Sequence, residues 1–358
     1  RTFAQILKQA GYQTGFAGKW HLRTTPAECG FDFVSSFSGN GPYYNRSVKE
    51  LGKSKRIPGF IDDFVADQSI EFMEAAARSK APFLLWMCTQ VPHMNHEFDW
   101  NARKETLALY DPAKMPVPAT WRHDLAGKPP YLAEGRNRLR AQQEYGYDKK
   151  ASIQRHLQRY YAAVTEVDAA IGRVVETVDR LGIAGNTWFI FMGDNGWFMG
   201  EHGFTSKVLP YEESIRVPMI VAGPGTRARI DRHLVLNIDL PATILDLAGI
   251  PVPASMHGRS LVPLLDGTSK GWRESFLYEA PTPTLGSWPL VAVRTQKWKY
   301  IRTYEIDNPA KVAFEELYDM TQDSHEMSNL AADEAHVTIL RELSDQLKRH
   351  RESLGWGN

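Results

Sequence analysis

Cysteine is scarce. The 358 residues hold two, Cys29 and Cys88, too few for a disulfide scaffold and in no metal-binding spacing. Neither sign of charge is in excess: lysine plus arginine number 42, and so do aspartate plus glutamate. The basic surplus expected of a nucleic-acid binder is therefore missing. Long apolar runs are missing too, since the longest, Phe83 to Cys88, falls far short of the about 20 residues that span a bilayer. No internal repeat or low-complexity tract is visible, and neither an initiator methionine nor a basic-then-apolar leader opens the chain. Against these gaps stands a hydrophobic fraction of 43% with 11% aromatics, ample for a packed core and incompatible with wholesale disorder. The length predicts two domains or one large one, and the whole reads as a globular enzyme.

Periodicity places the elements. Phe3, Ile6, Leu7 and Ala10 share one helical face, and Gly11 stops that helix. A domain that opens on a helix with no packing partner upstream suggests a further N-terminal segment. Tyr12 to Gly18 reads as a strand ending at Lys19-Trp20-His21, and residues 24 to 60, rich in Gly, Pro and Ser, read as an elaborated loop. A helix over Ile61 to Ala77 precedes a buried strand, Phe83 to Cys88, which runs into Val91-Pro92-His93. Residues 94 to 150 show no clear period, long for a loop and suited to lining a substrate site. From Ser152 to Leu181 apolar residues recur every three or four positions, and Gly182 closes the helix. Thr187 to Met192 reads as a strand ending at Gly193-Asp194-Asn195-Gly196, Val217 to Val221 as another, and Leu240 to Ala248 as a helix. Beyond Gly271 short strands at Phe276, Leu290, Lys299 and Glu316 predict an antiparallel sheet, closed by a helix over Ala335 to Leu354.

Three strand ends thus carry polar residues: Lys19 and His21, then His93, then Asp194 and Asn195. In open α/β sheets that edge binds ligands. Singly, Lys19 is an ordinary surface lysine and Asp194-Asn195-Gly196 an ordinary turn; three on one sheet edge favour a site. Asp194 and Asn195 offer oxygen ligands that suit a hard divalent cation. Lysines and histidines beside them bind an oxyanion or move protons. The combination points to ester hydrolysis or group transfer.

Gly18-Lys19-Trp20-His21-Leu22, after the pattern Thr2-x4-Leu7-x3-Gly11-Tyr12-x-Thr14, resembles the second signature of the sulfatase family, of the alkaline-phosphatase-like superfamily. The likeness continues through Val91-Pro92-His93, Glu166-Val167-Asp168, Gly193-Asp194-Asn195-Gly196, Gly200-Glu201-His202-Gly203, Lys207 and Tyr211 to Pro218, and on to His257-Gly258-Arg259-Ser260-Leu261 and Glu316 to Asp319. It covers essentially the whole chain. The resemblance implies a large, mixed, mostly parallel sheet flanked by helices over residues 1–268, and a smaller α+β unit with an antiparallel sheet over residues 269–358.

It also implies roles. Asp194 and Asn195 would be two ligands of a calcium ion, preferred to magnesium. Lys19 and Lys207 would contact the sulfate, His21 would act as base towards the nucleophile, and His93 would contact the ester oxygen and protonate the leaving alcohol, a task it could share with Lys207. His202 is either a participant or a loop histidine; Arg216 and Glu213 would fix the loop. Two family features are missing: the Cys/Ser-x-Pro/Ala-x-Arg motif that becomes formylglycine, and the paired aspartates that complete the metal site. Neither Cys29 nor Cys88 has that context, and Cys88 reads as a core residue. In relatives both features precede the first helix seen here, so the expectation is a truncated sulfatase, inactive as these 358 residues. The substrate would be a small or oligosaccharide sulfate ester, with a sulfated carbohydrate favoured. Tyr43, Tyr44, Phe98, Trp100, Tyr110 and Trp121 either stack on its ring or pack the loops. A nucleic-acid partner and a membrane span are not expected. A phosphodiesterase or phosphonate monoester hydrolase, with Asp-His in place of Asp194-Asn195, and a non-catalytic carbohydrate-binding relative are the rival readings. An exported or lysosomal setting follows from family habit alone.

Overall fold

The computed structural model describes residues 1–50 and 53–355; residues 51–52 of the expected loop and 356–358 of the expected C-terminal unit lie outside them. Helix α1 (Phe3–Gln9) starts at a capping box in which the Thr2 hydroxyl accepts from the Gln5 N–H and the Gln5 side chain accepts from the Thr2 N–H. Strand β1 (Gln13–Lys19) is buried along its middle because it has a parallel partner on each side, β2 (Phe33–Phe37) and β5 (Phe83–Cys88). The region expected to be loop thus contributes a strand, and then a hairpin of β3 (Ser47–Glu50) and β4 (Lys53–Arg56). Phe33 to Phe37 alternates exposed Val34 with buried Ser35 and Phe37, a short period-two signal diluted by the glycines and prolines around it. Helix α2 (Ile61–Ser79) leads into β5 (Phe83–Cys88), giving the parallel order β2-β1-β5.

The long aperiodic stretch holds only α3 (Lys104–Leu107), α4 (Arg136–Gln143) and two single 3-10 turns. Helix α5 (Lys150–Arg180) then buries Ile153, Leu157, Ala163, Val167, Ala170, Val174 and Val178 along one stripe. Its C-terminal half joins α2 in a layer on which Leu85 and Met87 of β5 and Phe189 of β6 (Phe189–Met192) all pack. Each large apolar side chain fully buried there contributes about 1.5–3 kcal/mol. A short hairpin of β7 (Phe198–Met199) and β8 (Thr205–Ser206), the turn of helix α6 (Glu212–Ile215) and strand β9 (Met219–Ala222) follow, and β9 pairs antiparallel with β6. Among the described residues β5 and β6 therefore share one helical layer yet belong to separate sheets. Each has one paired edge and one unpaired edge, and Trp86, Phe191 and Ile220 of β5, β6 and β9 are exposed.

After α7 (Asp239–Leu247) and α8 (Val262–Leu265), an antiparallel sheet runs in chain order through β10 (Ser275–Ala280), β11 (Leu290–Thr295), β12 (Trp298–Tyr304) and β13 (Val312–Asp319). Strand alternation gives it two faces. Val291, Val293, Tyr300 and Leu317 meet Leu343 and Leu347 of helix α9 (Val337–Ser353). Ala292, Ile301 and Tyr318 instead pack on Leu125, Leu132, Phe198, Phe204 and Tyr211. On that second face Lys299 Nζ lies 2.8 Å from Glu212 and 2.7 Å from Glu326. The Tyr211 and Tyr318 hydroxyls both donate to Glu316 there.

Candidate active site

The site is assembled where three strands end. At the close of β1, Gly18 has φ +118°, and a Cβ there would stand 1.8 Å from the Cys88 carbonyl oxygen. Only glycine lets β1 close on β5 at this point, which sets Lys19 beside the loop that leaves β5. Lys19 Nζ donates to Asn40 Oδ1 at 2.8 Å. Asn40 is held by its neighbours: Arg46 donates to the Ser38 and Gly39 carbonyls and to the Gln90 side chain, with its guanidinium 4.5 Å above the Phe37 ring. Gln90 in turn donates to the Gly41 carbonyl at 2.7 Å.

The second strand end is fixed by Asp62, fully buried in the first turn of α2. Its two carboxylate oxygens accept from the Gln90 and Val91 N–H groups at 2.8 and 3.0 Å. Burial pushes this carboxyl up to about 6, although both N–H groups favour the charged form. The Tyr43 hydroxyl donates to the His93 carbonyl at 2.6 Å. His93 itself lies against the Trp197 ring, with centroids 5.9 Å apart, and its Nδ1 is 3.0 Å from the Met94 carbonyl. A carbonyl can only accept, so Nδ1 carries the proton and Nε2 is left as the free acceptor.

The third end follows β6. A Cβ on Gly196 would fall 2.0 Å from the Glu213 carbonyl oxygen, and the Gly196 N–H donates to the Ser214 carbonyl, so the Asp194-Asn195 turn lies directly on α6. The Asn195 N–H donates to Asp194 Oδ1, and Asn195 Oδ1 accepts from Lys207 Nζ at 2.7 Å. Lys207 sits between two residues in the left-handed region, Ser206 (φ 71°) and Val208 (φ 83°). Each such non-glycine conformation costs on the order of 1–3 kcal/mol, and such strain gathers at functional sites. The Ser214 hydroxyl, accepting from the Val208 N–H, helps hold it.

Electrostatics ties the three ends together. Burial, with Lys207 and Arg46 nearby, lowers the Lys19 ammonium to about 8, partly offset by Asp194 and Asp62. Burial and the charges of Lys19 and Lys207 depress the His93 imidazole to about 4, so it is neutral at physiological pH. Asp194 is exposed. The result is a cation-rich edge short of compensating carboxylate, which is the complement of an oxyanion.

Of the six residues singled out by sequence, five meet: Lys19, His93, Asp194, Asn195 and Lys207. His21, exposed just beyond β1, makes none of these contacts among the described residues. His202 is fully buried, its Nδ1 3.0 Å from His123 Nδ1 and its ring against Phe204 and Tyr211. Its ring partners are therefore side chains, not the backbone that a loop histidine would bond. Burial lifts the Cys88 thiol to about 12, and with no activating base it is inert. Asn40, Arg46, Asp62 and Trp197 were missed. The GlyAsnGly turn at Asn40 and the acidic first turn of α2 looked like ordinary loop and cap chemistry.

The donor set also tests the metal. Asp194 and Asn195 have the hard oxygens calcium takes, but calcium takes about 6–8 of them. No group of three or more His, Cys, Asp or Glu able to hold a metal occurs among the described residues, and Lys207 already occupies Asn195 Oδ1. These residues alone do not fit the ion.

A sulfatase family model matches residues 1–250, and the model of the N-sulphoglucosamine sulphohydrolase C-terminal region matches residues 200–353. An N-acetylglucosamine-6-O-sulfatase of Bacteroides thetaiotaomicron is 30% identical over 97% of this chain and 72% of its own length. The extracellular sulfatase SULF-1 homolog of Drosophila melanogaster is 28% identical over 78% of this chain and 26% of its own. A solved structure of a protein in complex with its substrate, D-glucosamine-2-N,6-O-disulfate, superposes with a TM-score of 0.84 at 27% identity, covering 98% of this chain and 82% of that one. The chain belongs to the sulfatase family, with the family's α/β architecture and C-terminal antiparallel sheet.

Proposed function

We propose that this edge binds the sulfate group of a sulfated carbohydrate for hydrolysis of its ester bond to inorganic sulfate. The observation that carries the reading is the meeting of Lys19 and Lys207 around a neutral His93, with Asp194 and Asn195 alongside. The two ammonium groups hold sulfate oxygens and offset charge that grows on them in the transition state. His93, anchored through Nδ1, directs Nε2 at the ester oxygen; burial first and the charges of Lys19 and Lys207 second hold it neutral, and the bound anion offsets the second, so that it takes a proton from water and passes it to the leaving alcohol. His21 is the base of the sulfate-releasing step. The saccharide class is supported by the activities of the relatives, one an N-acetylglucosamine-6-O-sulfatase.

The nucleophile, a formylglycine, and the remaining calcium ligands belong in this proposal to chain beyond these 358 residues, since no Cys/Ser-x-Pro/Ala-x-Arg motif occurs within them. The unpaired edges of β5 and β6, set on one helical layer, leave the place where a further strand joins the two sheets. The test is sulfate release from N-acetylglucosamine 6-sulfate. The full-length polypeptide is expected to release it and the 358-residue chain is not. Faster turnover of an aryl phosphonate than of an aryl sulfate by the full-length protein would replace this reading with that of a phosphonate hydrolase.

A further inference from the structure

The aromatic residues of the long loops are not equivalent. Tyr43 and Trp100 are fully buried. Tyr44 is committed to Glu166 and Tyr110 to Thr165 by hydrogen bonds, and Trp121 packs into the cluster around Tyr43 and Trp100 with Arg122 4.4 Å above its ring. Phe98 alone of the six is open, with 41% of its surface exposed. It also has φ 58°, a left-handed backbone that a bulky residue adopts only when its surroundings impose it. Here they do. The buried Asn95 side-chain oxygen accepts from the Glu97 and Asp99 N–H groups at 2.8 and 3.2 Å, the Asn95 backbone N–H donates to the Asp99 carbonyl, and Asp99 is tied to Arg159 of α5. The loop is closed on itself, and Phe98 is its presented residue.

The ring is braced rather than free. Arg140 of α4 lies 5.1 Å from its centroid, and Tyr145 meets it edge-on at 6.4 Å. Arg140 is fixed by Glu144 at 2.6 Å and donates to the Ser206 hydroxyl at 3.2 Å, one residue before Lys207. The loop that carries Phe98 begins at His93. Phe98 is thus connected on one side to His93 and on the other, through Arg140 and Ser206, to Lys207.

We infer that Phe98, braced by Arg140, is the platform on which the pyranose ring of the sulfated sugar rests, and so selects a saccharide over other sulfate esters. This rests on the sulfate assignment of Lys19 and Lys207. A pyranose has an apolar C–H face that packs on an aromatic ring, and a solvent-facing phenylalanine gains burial when that face covers it.

The test is binding to the full-length protein, read as the KM for sulfate release from N-acetylglucosamine 6-sulfate and, separately, as inhibition by inorganic sulfate. Phe98→Asn removes the ring with a residue that tolerates the left-handed backbone, and Phe98→Trp keeps an aromatic face. Sugar affinity is expected to fall about five- to tenfold in Phe98→Asn, to persist in Phe98→Trp, and inorganic sulfate affinity to be equal in all three proteins. Equal sugar affinity in wild type and Phe98→Asn overturns the inference, as does loss of both ligands together, which marks a purely structural role. Absence of sugar binding in the wild type overturns it too. The sulfatase reading fails separately, through the full-length protein releasing no sulfate.

Discussion

Two places in this molecule take lysines out of bulk water, and they treat them differently. Under the C-terminal sheet, Lys299 is wholly buried and lies within 2.8 Å of Glu212 and 2.7 Å of Glu326. Lys128 beside it donates to the Tyr318 hydroxyl and the Glu326 carbonyl, with the Tyr211 ring 3.8 Å away. At the strand ends, Lys19 and Lys207 have, among the described residues, the side-chain carbonyls of Asn40 and Asn195 as partners in hydrogen bonds, and they repel one another. A compensated buried cation fixes a fold; an uncompensated pair is a standing place for an anion. The difference separates structure from function among residues of one type.

The comparison can be broken most forcefully at Lys299. Lys299→Met leaves the buried Glu326 without its ion-pair partner and Glu212 with Arg294 alone, and is expected to cost about 3–5 kcal/mol in denaturant unfolding. Burial pushes Glu212 up, but Lys299 and Arg294 hold it down at about 2. Its pairing therefore stabilises the fold above the ordinary carboxylate range, and that contribution disappears as pH falls from about 4.5 towards 2. Lys207→Ala should do the opposite: stability close to wild type, with sulfate-ester turnover by the full-length protein down by about 10²–10³, the cost of losing one transition-state donor. A variant that unfolds instead would merge the two regions into one kind.

Smaller effects sharpen the picture. Asp62→Asn has one acceptor oxygen for two N–H groups and turns its amide on the other, so it should destabilise by about 1–3 kcal/mol. The loop bearing His93 should lose its amide-exchange protection first. The mildest effect is at Lys19. Its ammonium is lowered from 10.5 to about 8, so between those values the unfolded chain binds more protons and stability rises with pH. Lys19→Met should therefore melt above wild type at neutral pH, with the gap closing as pH passes about 10.5. An unchanged gap across that range would show that the cation costs the free protein nothing.

Much of this was legible in the sequence, for local reasons. Period and turn residues located β1, β5, β6, α2 and α5, and the polar residues at those strand ends, His21 apart, lie close together. What escaped notice depends on distant pairings. Arg46 reaches Gln90 and Asp62 reaches Val91, partners 44 and 29 residues away, and no periodic pattern records such a reach. His202 looked chemical because of its neighbours in the chain, whereas its surroundings in space are Phe204, Tyr211 and His123. Among the aromatics, composition could not separate Phe98 from Tyr43 and Trp100. Their difference lies in a loop closed by Asn95 and Asp99, visible only once folded. The large, mixed, mostly parallel sheet appears here as the parallel β2-β1-β5 and the antiparallel pair β6-β9, since strand count depends on partners and not on each strand's own residues.

The most direct measurement is a calorimetric titration of inorganic sulfate into the wild-type chain and Lys19→Met, at neutral pH and again above about pH 9. A cationic anion site centred on Lys19 and Lys207 predicts that wild type binds sulfate at neutral pH and loses affinity as Lys19 deprotonates near 8. Lys19→Met should bind weakly at both. Equal, pH-independent affinity in the two proteins would contradict the assignment of this edge as the sulfate site.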